Sequence, residues 1–150
     1  MGSHKTAISR KGPSAPLKLI LKKENISSPI LDYGSGRGAD SRHLSALKYN
    51  VTSYDPYWSP IKIDNKNDFF ETIICNYVLN VVCKKEESEV LSDIKRLLSP
   101  DGFAYLAVRR DIKVEGITTK GLQRNIKLNL PIFYEKKGSF CIYKVKKKDL

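Results

Sequence analysis

Ile30-Leu31-Asp32-Tyr33-Gly34-Ser35-Gly36-Arg37-Gly38-Ala39-Asp40 is the stretch whose reading decides the fold. Ile30 and Leu31 read as an apolar strand. Gly34, Gly36 and Gly38 let the main chain turn tightly and approach a bound molecule, and residues 39–48 continue as a helix. Strand, glycine loop and helix in this order make a ligand-receiving turn. The Gly-x-Gly element alone is shared by several nucleotide-type sites and by plain tight turns, so its surroundings must decide.

Three surrounding features do so. Asp32, two residues before the first glycine, puts a carboxylate at the mouth of the site, where it repels a pyrophosphate and favours a cationic ligand such as the sulfonium and ammonium of S-adenosylmethionine. The next strand, Val51–Tyr54, ends in Asp55, 23 residues after Asp32, where a carboxylate can accept both ribose hydroxyls of an adenosine cofactor. Residues 72–82 read as a further buried strand, with polar Asn76 where the chain leaves the sheet.

In order, Leu31-Asp32-Tyr33-Gly34-Ser35-Gly36-Arg37-Gly38, then Tyr54-Asp55-Pro56, then Asn76-Tyr77-Val78-Leu79, then Leu97-Leu98-Ser99-Pro100-Asp101-Gly102-Phe103 resemble the signposts of class I S-adenosylmethionine-dependent methyltransferases over residues 14–110. The resemblance implies a doubly wound α/β fold: a mostly parallel, seven-stranded or six-stranded Rossmann-like sheet with a C-terminal antiparallel hairpin. It implies S-adenosylmethionine as cofactor, contacted by Asp32, Gly34, Ser35, Gly36, Asp55, Pro56, Asp68, Asn76 and Tyr77. Lys5-Thr6-Ala7-Ile8-Ser9-Arg10, Ser14-Ala15-Pro16-Leu17, Tyr54-Asp55-Pro56-Tyr57 and Asn76-Tyr77-Val78-Leu79-Asn80-Val81 are further similar to methyltransferases associated with DNA phosphorothioation systems.

The length, 150 residues, suits one domain with a genuine core and no separate substrate domain. Residues 1–13 read as a basic arm, of which 1–4 have the composition of a tag remnant, and 14–150 as a single methyltransferase domain. No apolar run nears the roughly 20 residues that span a bilayer, and no secretory signal is visible, so a cytoplasmic protein without membrane contact is expected. Cys75, Cys83 and Cys141 follow no metal or redox spacing, which predicts reduced thiols and no metal. Of the net charge of +11, residues 1–28 hold +5, 29–112 hold −1 and 113–150 hold +7. Basic ends on a near-neutral body suggest DNA or RNA as partner, against the alternative of a lysine-rich solvated surface.

Along the chain, Ser14 caps a helix to about Glu24 with Leu17, Leu19, Ile20 and Leu21 as its stripe. The family resemblance implies that the lead-in folds over the cofactor, with Thr6, Ser9 and Arg10 near the methyl group. Leu44 and Leu47 should face the sheet, with His43 on the helix surface. Tyr57 and Trp58 can wall an adenine or close the end of the sheet, residues 61–63 form a short edge strand, and Asp68 meets the adenine amine. Residues 86–98 make an amphipathic helix, 103–108 the last parallel strand, and 130–134 with 140–145 a hairpin. The polar segment 116–129 between them is the natural place for substrate contacts, with Lys120 and Arg124 joining Arg10 there.

The turn at Asn76 bears on reaction type. Amino-methylating DNA enzymes place Pro-Pro-Tyr or Pro-Pro-Phe at this point, and cytosine carbon-5 enzymes use a cysteine that follows a proline; neither pattern occurs here. What remains is transfer governed by alignment, with Tyr77, Asn80 and Arg109 as the catalytic candidates that orient or polarise the acceptor. The leading expectation is methyl transfer to nucleic acid or a nucleotide-like acceptor, with a partner protein supplying part of the recognition. The alternatives are a small-molecule methyltransferase, closer in kind to the Asn76-Tyr77-Val78-Leu79 turn, and a non-catalytic cofactor-binding or nucleic-acid-binding protein.

Overall fold

The computed structural model describes residues 7, 10–61, 63 and 69–150. One mixed sheet of six strands runs in the order β2-β1-β3-β4-β8-β7. Its members are β1 (Ile30–Tyr33), β2 (Val51–Tyr54), β3 (Phe70–Asn76), β4 (Leu98–Arg109), β7 (Ile132–Lys136) and β8 (Phe140–Val145). The first four are mutually parallel, and β8 pairs antiparallel with both β4 and β7. Of the seven-stranded and six-stranded Rossmann-like sheets that the resemblance implies, the described residues form the six-stranded one with its terminal hairpin. A separate two-stranded ribbon, β5 (Gly116–Thr118) and β6 (Gly121–Gln123), occupies the first part of the polar segment 116–129, where the sequence predicts no strand.

Period-two alternation divides the core between the two faces of the sheet. Leu31, Ile73, Cys75, Leu106, Val108, Cys141 and Tyr143 pack on one face with Ile94 and Leu97 of the helix α3 (Lys84–Leu97). Ile30, Ile74, Tyr105, Ala107 and Ile142 pack on the other with Leu17 and Ile20 of α1 (Ala15–Lys23) and Leu44 of α2 (Ala39–Ala46). Helices on both faces and a strand order that reverses beside β1 put a crevice at the carboxyl ends of β1 and β3.

Local chemistry explains the boundaries. Ser14 caps α1, its hydroxyl accepting from the Leu17 N–H at 3.4 Å, with Pro16 inside the first turn where no amide is needed. Glu86 reaches back to the Cys83 N–H at 3.1 Å, so α3 begins two residues before the expected start.

Several expectations are corrected. Strand β3 stops at Asn76 instead of continuing to Val82, because Tyr77 takes a left-handed φ of 63° and Leu79–Val81 winds into a 3-10 turn. Leu47 lies past the end of α2 and is 50% exposed, while Leu44 alone carries that helix's contact. Leu98 begins β4 instead of ending α3. Ile61 and Ile63 belong to no strand, and the chain after β2 closes instead through a bridge between Asp55 and Ser59. Gly102 is required where β4 crosses β3, since a side chain there would meet the Glu71 carbonyl at 2.8 Å. Among the described residues no helix is long and apolar enough to cross a membrane, no His, Cys, Asp or Glu cluster could hold a metal, and all three cysteines are free.

Candidate functional site

The glycine loop folds against the end of β2. Gly34 and Ser35 donate their amides to the Tyr54 carbonyl at 2.7 and 2.9 Å, Gly36 donates to Asp55 Oδ2 at 2.9 Å, and Gly38 donates to the Ser35 carbonyl at 3.0 Å. These amides therefore face inward, and the loop does not present the fan of N–H groups that holds a pyrophosphate. Gly34 has φ 77°, and a Cβ there would lie 2.2 Å from Val78 Cγ2, so only glycine fits between the loop and the chain leaving β3.

Around this loop lies a cleft of about 1060 Å³. Its floor is acidic. Asp32 is 3% exposed, lies beneath α2 instead of at the mouth, and accepts a 2.7 Å hydrogen bond from Ser41. Burial raises its pKa to about 7; the Ser41 hydrogen bond opposes the rise, and Asp40 and Asp55 add to it. Asp40 accepts from the Ser14 N–H and Oγ, each at 2.7 Å, and from Asn76 Nδ2 at 3.1 Å, tying the start of α1 to the cleft. Asp55 Oδ1 accepts from the Tyr57 and Trp58 amides at 2.9 and 3.0 Å. With Gly36 on Oδ2, one lone pair of Oδ2 remains, enough for one ribose hydroxyl and not for the pair expected from sequence. Two buried polar atoms beside the loop, Ser35 Oγ and Asn76 Oδ1, have no hydrogen-bond partner among the described residues. Both residues line the cleft, so a ligand offering polar hydrogens fits there.

Of the residues singled out by sequence, Asp32, Gly34, Ser35, Gly36, Asp55, Pro56, Asn76, Tyr77, Asn80, Arg109 and Arg10 line this one cleft. Ala7 lines it too and lies 3.6 Å from where a Gly36 Cβ would stand, so the lead-in crosses the glycine loop. Asp68, Thr6 and Ser9 lie outside the described residues. Lys120 sits in the exposed turn of the β5–β6 ribbon and does not line the cleft, which Gln123 of that ribbon does. Arg124 is likewise drawn elsewhere, donating to the Val82 carbonyl at 2.7 Å and pairing with Glu87 at 3.0 Å. Asn80, proposed to polarise the acceptor, is 1% exposed and has its amide fully occupied by the backbones of Arg109 and Arg124. The sequence reading missed Glu86, Glu89 and Asp93 of α3 as lining residues; with Val90, which also packs on the core, their i, i+3, i+4 and i+7 spacing marks one helix face along the cleft. Trp58 stacks under Arg37, whose guanidinium is 4.8 Å from the ring centre, at the outer edge of the loop.

Comparison with known proteins agrees with this architecture. The family model described as "Methyltransferase domain" matches residues 7–129. The Burkholderia thailandensis 1,6-didemethyltoxoflavin-N1-methyltransferase, solved with 1,6-didemethyltoxoflavin and S-adenosylhomocysteine, is 15% identical with a TM-score of 0.62 over 87% of this chain and 76% of that one. A Bacteroides fragilis S-adenosylmethionine-dependent methyltransferase, solved with S-adenosylhomocysteine, is 13% identical with a TM-score of 0.59 over 90% and 78%. TehB from Haemophilus influenzae is 13% identical with a TM-score of 0.61 over 94% and 63%. The chain spans only 51% of another similar structure, that of the conversion of a disulfide bond into a thioacetal group during echinomycin biosynthesis. No curated protein sequence matches the chain.

Proposed function

The chain belongs to the methyltransferase-domain family, and from that membership we infer that it is an S-adenosylmethionine-dependent methyltransferase whose acceptor is a small molecule held within the cleft. One observation carries the reading: the loop amides face inward while carboxylates form the floor, which favours a cationic nucleoside over a dinucleotide. The binding of S-adenosylhomocysteine by the Burkholderia and Bacteroides relatives is in keeping with it.

When bound, S-adenosylmethionine supplies a methyl group on a positively charged sulfur, already activated for transfer. The residues of this chain then have to bind, align and exclude water, and alignment within about 3–3.5 Å supplies much of the acceleration. Asp32, Asp40 and Asp55 favour the cationic moiety, Ser35 and Asn76 offer it free acceptor atoms, and Gly34 lets it approach the main chain. Burial raises the Tyr77 pKa, against the pull of Arg10 and Arg109, so the hydroxyl stays protonated and acts as a donor to the acceptor.

Charge placement favours a small acceptor over a polynucleotide. Asp32, Asp40, Asp55, Glu86, Glu89, Asp93 and Asp111 line the cleft against Arg10, Arg37 and Arg109, so the site repels a phosphate chain although the protein carries +11. The lysines gather elsewhere. No described lysine lines the cleft: Lys144, opposite Tyr105 in the second half of β4, pairs with Glu24, and Lys22 and Lys23 end α1 beside that same glutamate. A narrower kinship with phosphorothioation-associated methyltransferases rests on the sequence resemblance at residues 5–10, 14–17, 54–57 and 76–81 alone.

Calorimetry with S-adenosylhomocysteine tests the cofactor. Transfer of labelled methyl groups to fractionated cellular material tests the acceptor: label should enter the low-molecular-weight fraction. Label confined to DNA or RNA would overturn the small-acceptor reading, and failure to bind S-adenosylhomocysteine would overturn the enzymatic one.

A further inference from the structure

One part of the cleft differs in charge from its carboxylate floor. Arg10, Tyr77 and Arg109 all line it, and both guanidinium groups act electrostatically on the Tyr77 hydroxyl, ahead of the opposing carboxylates of Asp111 and Asp40. Arg10 is half-buried and makes no hydrogen bond or ion pair to any described residue. A cation kept partly out of water without a partner is costly unless something of opposite charge joins it. Arg109 pairs through Nε with Asp111 at 2.9 Å, which leaves the outer edge of its guanidinium fork without a described partner.

The backbone holding these groups is fixed and strained. The Asn80 amide grips both the N–H and the carbonyl of Arg109, so the root of that side chain cannot shift with the β4 end. Tyr77 holds a left-handed φ of 63°, where a bulky residue is disfavoured, and its N–H donates to the Ala107 carbonyl at 2.8 Å. Such strain persists only where the surroundings over-determine it, as at binding and catalytic sites. Here it accompanies the placing of Tyr77 in the cleft that Arg109 and Arg10 also line.

We propose that Arg10, Tyr77 and Arg109 form the seat of an anionic group, a carboxylate or a phosphate, carried by the methyl acceptor; this deepens the methyltransferase reading and rests on it. The forked guanidinium matches either anion, and the protonated phenol adds a donor. The acidic remainder of the cleft then limits the acceptor to a single such group, not a chain of them. Asn80 is a positioning residue, acting through Arg109.

The test uses the full chain loaded with S-adenosylhomocysteine and titrated with inorganic phosphate and, separately, with benzoate, followed by amide NMR shifts at Tyr77 and Arg109. Either probe should saturate those shifts, and whichever binds more tightly names the anion. Arg10→Gln and Arg109→Gln should each weaken the preferred probe about tenfold, the loss expected for one charge-assisted contact. Arg109→Lys should lie between, and Lys120→Gln, on the exposed ribbon, should match wild type. S-adenosylhomocysteine affinity should stay constant across the series. Equal probe affinity in all variants overturns the proposal, as does a fall in S-adenosylhomocysteine affinity with unchanged probe binding, which would assign the arginines to the cofactor's own carboxylate. If the wild type does not bind S-adenosylhomocysteine, the methyltransferase reading fails, while the same titration of the unloaded protein still decides the anion seat.

Discussion

Asn80 holds the backbone of Arg109 from both sides, its Oδ1 accepting the Arg109 N–H at 2.8 Å and its Nδ2 donating to the Arg109 carbonyl at 3.0 Å. The second Nδ2 hydrogen reaches the Arg124 carbonyl at 2.8 Å. One side chain thus joins the turn after β3, the end of β4 and the segment after β6.

Asn80→Ala leaves three backbone groups without partners at a site that is 1% exposed. The expected loss is about 2–4 kcal/mol, from the desolvation of groups left unpaired. Urea unfolding measures it. Asn80→Asp should do similar harm, because it replaces a double donor with a charge facing two carbonyls. A loss under about 1 kcal/mol, the size of an ordinary surface effect, would show that water repairs the gap.

Gly34→Ala sets a methyl 2.2 Å from Val78 Cγ2 at a φ of 77°. The left-handed conformation alone costs about 1–2 kcal/mol, and the collision must be relieved by moving the loop. S-adenosylhomocysteine binding should become undetectable by calorimetry. Adding Val78→Ala removes the colliding methyl and should restore part of the affinity, because the backbone cost remains. No recovery in the double variant would place the defect outside this contact.

Asp32 gives stability a pH dependence of unusual sign. Its pKa is raised to about 7 in the fold, above the ordinary carboxylate range, so between about pH 4 and 7 the folded chain binds more protons than the unfolded one. Stability should therefore fall as pH rises through that window and level off above it. Asp32→Asn keeps an uncharged side chain at all pH values, so its advantage over wild type should grow from pH 5 to pH 8, by a few kcal/mol at most. Thermal unfolding of both proteins across that range checks the difference. Parallel curves would mean that Asp32 titrates as an ordinary carboxylate.

Asp55 accepts amides from Gly36, Tyr57 and Trp58, so it shapes the loop as well as offering one position to a ribose. Asp55→Ala should weaken S-adenosylhomocysteine by about tenfold or more, since charge-assisted bonds of this kind are each worth about 1.5–3 kcal/mol. Asp55→Asn should not rescue it, because its NH2 would face the amide donors that the carboxylate now receives. Calorimetric affinities across the three proteins decide this.

The parts of the fold legible in the sequence were those with local signals. The apolar Ile30-Leu31 run, the glycines and the alternation through β4 and β8 each follow from nearest neighbours. The exit from β3 was half legible: polar Asn76 marked it, yet Tyr77-Val78-Leu79 reads as more apolar strand, and the packing of Val78 on Gly34 shows why the chain must turn there. In the site, the acidic loop residues were visible because spacing places them. Whether Asn80 or Arg124 points to ligand or backbone depends on partners 29 to 45 residues away, which no local pattern encodes.

Arg124 and Arg109 should therefore separate cleanly when each is changed. Arg124 donates to the Val82 and Leu79 carbonyls and pairs with Glu87, so it closes the 3-10 turn onto α3. Arg124→Gln should lower stability by about 1–3 kcal/mol, the range for charged hydrogen bonds that leave acceptors unpaired. Glu87→Gln should cost less, and the double variant less than the sum, because the two residues share one contact. Phosphate or benzoate affinity should be unchanged in Arg124→Gln, since its guanidinium does not line the cleft. Arg109→Gln should do the reverse: its Nε partner Asp111 is half-exposed, so stability changes little while anion affinity falls about tenfold. Unfolding and anion titration on the same four samples test the division. An Arg124→Gln protein that keeps its stability and loses the anion would move the acceptor seat to the β5–β6 ribbon.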